Sequence, residues 1–181
     1  MKKENELVNH IAILALMLAM EIVLGQLTQI PLLSKQYNLG FLPVAVIAYY
    51  LGIPAAVTVA ALGDLIGSLL FPTGPYFPGF TVTAALCGLI YGLFLKPNSL
   101  KMFWRVLLAV LCSLLLNWVL NSFWLSILYS SNGRSYFGWL AIRGTTYLIE
   151  FPLQVILIML SLKALEKLPP SLLHRFFGGK D

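Results

Sequence analysis

Four ionisable residues interrupt long apolar stretches of the sequence, namely Glu21, Asp64, Arg143 and Glu150. If these stretches cross a bilayer, a charge near its centre costs on the order of 2.5–3.5 kcal/mol, so each side chain needs a partner or a polar cavity. Asp64 and Arg143 fall in the same half of the predicted membrane, where one pocket for a small molecule would hold both. The alternative is an ion pair that serves only helix packing. Glu21 and Glu150 are weaker candidates, and either could be structural.

A polar stripe in another apolar stretch favours a flat ligand. Asn117, Asn121 and Trp124 recur at spacings of four and three, so on a helix they share one face. Amide donors and acceptors beside an indole suit a heteroaromatic ring system. Asparagines also form hydrogen-bonded seams between membrane helices, and that interpretation stays open. Thr81 and Thr83, which follow a Pro- and Gly-rich segment, are weaker candidates.

The sequence lacks the residue sets that catalysis usually requires. It contains no GxxxxGK[ST] phosphate-binding loop, no Ser/His/Asp or Cys/His set and no carboxylates at metal-ligand spacing. Cys87 and Cys112 lie in apolar runs without a CxxC partner, and His10 and His174 lie near the termini. We therefore expect no enzyme activity, no metal site and no cofactor in this chain.

The elements that position these residues are predicted to be membrane helices. Of the 181 residues, 59% are apolar and 10% are charged, which is far from the composition of a soluble domain. A crossing needs roughly 20 apolar residues, so this length allows about six crossings and one membrane domain covering 1–181. The net charge of +5 comes from Lys and Arg in short connecting segments and at the termini, so it indicates membrane orientation and not nucleic-acid binding.

Pro- and Gly-containing breaks divide the chain into six apolar spans. Gly52 to Pro54 interrupts one long run, and the segment 71–79 contains three prolines and two glycines. We expect an all-α integral membrane protein, with the first run retained as a helix and not cleaved as a signal peptide. The six predicted spans are 11–27, 39–51, 55–70, 80–95, 103–128 and 137–165.

The distribution of basic residues predicts that both termini are cytoplasmic. The segments assigned to the inside carry Lys2, Lys3, Lys96, Lys101, Arg105, Lys163, Lys167, Arg175 and Lys180. Only Lys35 and Arg134 fall in the outside loops, as the positive-inside rule requires of an N-in, C-in protein. On the first span, Ala15 and Ala19 form a small-xxx-small motif, which would let a helix of another protein approach closely.

One segment of the sequence is characteristic of a known family. The run 63–81, GDLIGSLLFPTGPYFPGFT, resembles the corresponding segment of the folate-specific substrate-binding (S) components of energy-coupling-factor (ECF) vitamin transporters. The run 120–125, LNSFWL, and Arg143 with the run 151–154, FPLQ, resemble further segments of that family, and nearly the whole chain follows its pattern. The chain departs from the family at Thr145 and Thr146, where a basic residue is expected.

The resemblance implies a vitamin-binding subunit in the plasma membrane of a prokaryote. Its ligand would be folate, and its partners would be an ECF transmembrane coupling protein and two ECF ATPases, with no nucleic acid. In this family the S component is thought to topple in the membrane to release its ligand inward. Ala15 and Ala19 would form the surface that meets the coupling protein.

A folate pocket would be built from the outer ends of spans three to six. Asp64 would accept hydrogen bonds from adjacent N–H groups of the pterin ring, and Arg143 would meet an acceptor or a carboxylate of the ligand. Phe77 and Trp124 would stack on the rings, and Asn121 would contribute an amide. Asn117 and Thr81 complete the predicted ligand-binding residues.

Several alternatives remain open at this point. The loop 28–38, with Lys35, would either cover the pocket and attract the anionic glutamate tail of folate or serve only as a solvated connector. One alternative to a folate-binding S component is an S component for another vitamin. A self-sufficient ion-coupled transporter using Asp64, Arg143 and Glu150 is a second class, although no repeated halves are evident. An intramembrane enzyme or assembly factor is a third class, and it lacks a nucleophile or metal set.

Overall fold

The computed structural model describes residues 2–32, 35–72, 74–97, 100–129, 135–169 and 177, with the backbone alone described at 2–7, 30–32 and 35–36. Several residues named above lie outside the described residues, namely Thr73, Arg134, His174, Arg175 and Lys180. The same holds for the side chains of Lys2, Lys3 and Lys35.

The described chain forms six helices and one short hairpin. The helices are α1 (Lys2–Leu27), α2 (Phe41–Leu51), α3 (Ile53–Leu70), α4 (Pro78–Leu95), α5 (Met102–Leu128) and α6 (Tyr136–Glu166). The hairpin pairs β1 (Ile30–Leu32) with β2 (Lys35–Tyr37) in an antiparallel register that places Ile30 opposite Tyr37. The predicted all-α class with six helices is confirmed, and the hairpin adds local order within the predicted 28–38 loop.

The helix boundaries follow the breakers in the sequence. Gly52 separates α2 from α3 with a φ of +78°, a backbone conformation that side chains with a Cβ rarely adopt. Pro78 opens α4, where the absent N–H would have no intrahelical acceptor. The Ser135 hydroxyl caps α6 by accepting from the Gly138 N–H at 3.3 Å.

Five of the helices are long and apolar enough to cross a membrane, namely α1 from Val8 onward, α3, α4, α5 and α6. The remaining helix, α2, has 11 residues. At 1.5 Å per residue it is about 16 Å long, roughly half the thickness of the hydrocarbon layer. Many large apolar side chains on the long helices are exposed in the described chain, as expected for surfaces that face lipid.

The backbones of α3 and α4 approach each other closely at two glycines of α4. A Cβ added at Gly88 would lie 2.6 Å from the Ala56 carbonyl oxygen, and one added at Gly92 would lie 2.6 Å from the Ile53 Cα. The helix neighbours in sequence from α3 to α6 pack against one another, and α1 packs against α2 and α3. Glycine at positions 88 and 92 therefore sets the α3–α4 distance.

The buried core fills one end of the bundle, and the cavities open at the other end and extend inward as far as core residues such as Tyr91. Fully buried apolar side chains come from the first half of α3 and α5 and from the last half of α4 and α6, with examples at Val59, Leu95, Val106 and Leu162. Because successive helices run in opposite directions, these positions lie at one end. The other end, where α3 and α5 finish and α4 begins, contains the polar candidates.

Candidate binding site

Two adjoining cavities open at the loosely packed end of the bundle. The first, which we call the loop-side cavity, has a volume of about 360 Å³ and is lined by the segment 74–77 together with residues of α1, α3, α4 and α5. The second, the deep cavity, has a volume of about 290 Å³ and reaches Tyr91, Ser113 and Gln154. Four residues line both cavities, namely Glu21, Asn38, Asp64 and Phe80. The two cavities therefore share a wall, and the pair is suited to an elongated ligand.

A chain of hydrogen bonds connects the 74–77 segment to Asp64. The Thr81 hydroxyl donates to Asp64 Oδ2 at 2.7 Å, and the Tyr76 hydroxyl lies 3.0 Å from Thr81 Oγ1. Asp64 lines both cavities, whereas Thr81 stands behind it on α4. Asp64 and Thr81 were both predicted to bind the ligand; in the described structure Thr81 contacts the Asp64 carboxylate and lines neither cavity, and ligand binding by either residue stays a prediction.

The predicted aromatic residues pack on one another beside the loop-side cavity. Phe77 lines this cavity, and the centroid of its ring lies 5.5 Å from that of Trp124. The Trp124 indole N–H donates to Thr83 Oγ1 at 3.0 Å, which fixes the orientation of the ring. A Cβ at Gly79 would lie 2.5 Å from the indole, so only glycine permits this packing. Phe77 therefore lines the cavity, and Trp124 packs against Phe77 without being among the described lining residues.

The amide stripe on α5 lines the deep cavity. Asn121 Nδ2 donates to Asn117 Oδ1 at 2.8 Å, and Asn117 Nδ2 lies 2.8 Å from Cys87 Sγ. Asn121 Oδ1 is buried and has no hydrogen-bond partner among the described atoms. Both asparagines are among the residues that line the cavity, together with Cys87. The stripe is therefore a hydrogen-bonded seam along the cavity in which one acceptor, Asn121 Oδ1, is unpaired among the described atoms.

Three residues at the base of the deep cavity, Tyr91, Ser113 and Gln154, were not predicted from the sequence to be binding-site residues. The Tyr91 hydroxyl donates to Gln154 Oε1 at 3.3 Å, and the Ser113 hydroxyl donates to the Tyr91 oxygen at 3.3 Å. All three side chains are buried. Each occurs singly in an apolar helix, so only the helix packing reveals that they meet. Gln154 was part of the 151–154 segment noted in the sequence, but no role was assigned to it.

Arg143 is positioned differently from the other candidates. It is 7% exposed, its Nη2 donates to the Tyr147 hydroxyl at 3.1 Å, and its guanidinium carbon lies 5.7 Å from the centroid of the Tyr147 ring. Its Nε is buried without a hydrogen-bond partner in the described chain. Neither cavity includes Arg143 among its described lining residues. A direct contact between Arg143 and a ligand stays a prediction.

Glu21 has a more central position than its sequence context indicated. It lines both cavities, and its Oε2 atom is buried with no hydrogen-bond partner among the described residues. Asp64 lies on the same shared wall. No pattern in the sequence points to this arrangement, because it depends on how α1 packs against α3.

Tyr37, at the end of β2, lies beside this end of the bundle. It is 4% exposed, and its hydroxyl has no hydrogen-bond partner among the described residues. Burial, followed by the nearby Glu150 carboxylate, raises the pKa of Tyr37. The phenol thus keeps its proton at neutral pH and remains a hydrogen-bond donor.

The predicted partner surface on α1 is open. Ala15 and Ala19 are both exposed, and the large side chains of Leu16, Met20 and Val23 around them are also at least 42% exposed. The inner face of α1 packs against α2 and α3. The small-xxx-small motif therefore faces away from the described bundle.

The fold and the cavities define a class of membrane protein that binds a small molecule within a helical bundle. Within the described ranges, no group of three or more His, Cys, Asp or Glu side chains is arranged to hold a metal ion. The polar groups of the two cavities are amides, hydroxyls and two carboxyls, which suit recognition of a ligand with several hydrogen-bonding groups.

Comparisons with known proteins identify the family. The family described as "ECF transporter, substrate-specific component" matches residues 9–162. A folate transporter FolT from Clostridium novyi is 35% identical over 164 residues, covering 89% of this chain and 92% of the relative. A second FolT, from Leuconostoc mesenteroides, is 34% identical over 146 residues, covering 79% of this chain and 78% of the relative.

A solved structure agrees with these relatives. The crystal structure of FolT bound with folic acid superposes with a TM-score of 0.75 at 33% identity, covering 85% of this chain and 93% of that chain. This chain belongs to the family of substrate-specific components of ECF transporters. It is accordingly a multi-pass membrane protein and a transporter component that is not an enzyme, as the sequence predicted.

Proposed function

We propose that this chain is the folate-binding subunit of an ECF vitamin importer. The observation that carries the proposal is the pair of adjoining cavities, which combine a carboxylate at Asp64, amides at Asn117 and Asn121 and an aromatic face at Phe77. The pterin ring of folate has adjacent N–H groups and ring acceptors that suit a carboxylate and amides, and its aromatic rings suit an aromatic face along one elongated pocket. The names of the two relatives and of the solved structure support the same ligand.

The pocket residues have proposed individual roles. Asp64, held by Thr81, accepts N–H donors of the pterin ring, and Asn121 contributes its unused amide oxygen. Phe77 stacks on an aromatic ring of the ligand, with Trp124 packed behind it. Asn117 extends the amide contacts. Arg143 donates hydrogen bonds to an acceptor or a carboxylate of the ligand once its hydrogen bond to the Tyr147 hydroxyl is released.

The binding proposal is tested by calorimetric titration of the purified protein in detergent. Folic acid is the ligand, and thiamine, riboflavin and biotin are the controls. Tight binding of one folate per chain without nucleotide supports the proposal. Binding of a control vitamin with no binding of folate would replace folate by that vitamin, and no binding of any of them would overturn the assignment.

We further propose that transport requires partners with ATPase activity. Ala15 and Ala19 form the surface on α1 that meets an ECF transmembrane coupling protein, which in turn binds two ECF ATPases. The exposure of both alanines supports this assignment. Folate uptake into proteoliposomes should require the complete set of subunits and ATP. Uptake by the isolated chain, driven by a proton or sodium gradient, would instead indicate a self-sufficient transporter.

The proposed setting is the plasma membrane of a prokaryote, with 1–181 forming one membrane domain. Both termini face the cytoplasm, since most of the basic residues lie in the segments assigned to that side. The cavities then open to the outside. Labelling of single cysteines at Ser135 and at Lys167 with a membrane-impermeant reagent tests this topology, because only the first should react in intact cells.

A further inference from the structure

The shared wall of the two cavities contains the carboxyl group of Glu21, and glycines in neighbouring elements leave space for it. A Cβ at Gly63 would lie 1.7 Å from Glu21 Oε2, and one at Gly40 would lie 3.2 Å from Glu21 Oε1. Gly25, on the same helix as Glu21, adds no side chain beside it. The Glu21 carboxyl therefore occupies space that a side chain at position 63 would otherwise take.

This carboxyl group lacks the donors that a buried carboxyl normally has. Its Oε2 is fully buried, and no hydrogen bond to it exists within the described chain. Buried polar atoms are nearly always hydrogen-bonded, and this carboxyl group belongs to a residue that lines both cavities, so a ligand there can supply the donor that the described protein atoms do not.

The second carboxyl group on this wall, that of Asp64, already has a hydrogen-bond donor. One oxygen of Asp64, Oδ2, already accepts from Thr81 at 2.7 Å. Two carboxyl groups on one wall repel each other when both are charged, and a ligand edge with several N–H groups relieves that repulsion. The pterin ring has such an edge, with a 2-amino group beside a ring N–H.

We propose that Glu21 is a ligand-binding residue whose carboxyl group turns toward the cavities and accepts a hydrogen bond from the 2-amino group of the pterin ring, alongside Asp64. This assignment rests on the proposed folate-binding function. Glu21 then determines specificity for ring systems that carry an amino group at this edge. Its place on α1 also makes the ligand a link between α1 and α3.

The proposal is tested by comparing two ligands on three variants. Folic acid and an analogue with methyl in place of the 2-amino group are titrated into the wild type, Glu21→Gln and Glu166→Gln. Glu166 is a matched control for the Glu→Gln change, because it is exposed and bonds to Tyr49 at 2.6 Å, far from both cavities. Wild type and Glu166→Gln should prefer folic acid over the analogue by about 10- to 100-fold, which is the worth of one hydrogen bond to a charged group.

Glu21→Gln should lose most of this preference by binding folic acid more weakly, while its affinity for the analogue changes by no more than about 3-fold. A Glu21→Gln protein that retains the full preference overturns the proposal. So does a preference that persists in Glu21→Gln but disappears in Asp64→Asn, since Asp64 would then be the acceptor alone. Neither result would contradict the proposal that the protein binds folate. A wild type that binds no folate would overturn that proposed function.

A second variant displaces the carboxyl group without removing it. Gly63→Ala places a Cβ where Glu21 Oε2 lies, so the carboxyl has to move away from the shared wall. We expect weaker folate binding with the same loss of preference for the 2-amino group. If Gly63→Ala folds and keeps the wild-type preference, the position of the Glu21 carboxyl does not matter and the proposal is wrong.

Discussion

The packing of Trp124 against the start of α4 leads to a sharp prediction for Gly79→Ala. The added Cβ would lie 2.5 Å from the indole Cδ2 and 2.6 Å from Phe77 Cε1. Non-bonded carbons pack at about 3.5–4.0 Å, so the indole has to retreat by about 1 Å. A shift of that size takes its N–H out of hydrogen-bond range of Thr83, which now lies at 3.0 Å.

The expected cost follows from these two losses. Overpacking of a well-packed site costs about 1–3 kcal/mol, and a lost hydrogen bond costs about 0.5–1.5 kcal/mol. We expect Gly79→Ala to lower the free energy of unfolding by about 2–4 kcal/mol. Folate binding should weaken by about 2- to 12-fold, because Phe77 loses the ring packed behind it and an aromatic contact is worth about 0.5–1.5 kcal/mol.

Equilibrium unfolding with increasing denaturing detergent, followed by circular dichroism, measures the stability change. Gly74→Ala is the matched control for stability, since its Cβ would have nothing closer than 3.7 Å. In a Trp124→Phe background the smaller ring relieves the contact, so Gly79→Ala should cost less there than in the wild type. A Gly79→Ala protein as stable as the wild type, or equal costs in both backgrounds, would refute this account.

Four further predictions follow from the same structure. Asp64→Asn should weaken folate binding by about 10- to 100-fold with normal folding, and calorimetry showing wild-type affinity would contradict it. Ala19→Leu should abolish ATP-dependent uptake in proteoliposomes while folate binding persists, and Ala141→Leu, an exposed alanine on α6, should affect neither. Gly88→Ala should lower the free energy of unfolding by about 1–3 kcal/mol, because its Cβ meets backbone and not a movable side chain. Arg143→Ala should weaken folate binding if Arg143 contacts the ligand, and unchanged affinity in calorimetry would assign it to packing against Tyr147.

The helices could be predicted from the sequence because their boundaries are local. Gly52 and the prolines of 71–79 interrupt the apolar pattern wherever the chain turns, and a membrane span needs little more than length and hydropathy. The short hairpin at 30–37 could not be predicted in this way, since six strand residues carry too weak a pattern.

The binding site was predictable only in part. Asp64, Asn117 and Asn121 stood out because polar residues are rare in membrane helices, and the structure places all three on a cavity wall. Glu21 stood out in the same way, but its position beside the ligand cavities depends on glycines of other elements. Trp124 was expected to face the ligand, whereas the bond to Thr83 turns its ring toward α4. Such orientations depend on tertiary contacts that spacing along one helix does not encode.

The glycine contacts between α3 and α4 have a mechanical consequence. Where two backbones touch at Gly88 and Gly92, sliding one helix along the other by a single residue would drive a side chain into the opposing main chain. The two glycine contacts therefore oppose sliding of α3 along α4. Asp64 and Thr81 lie on these same two helices, so a motion that keeps the pair together keeps their hydrogen bond.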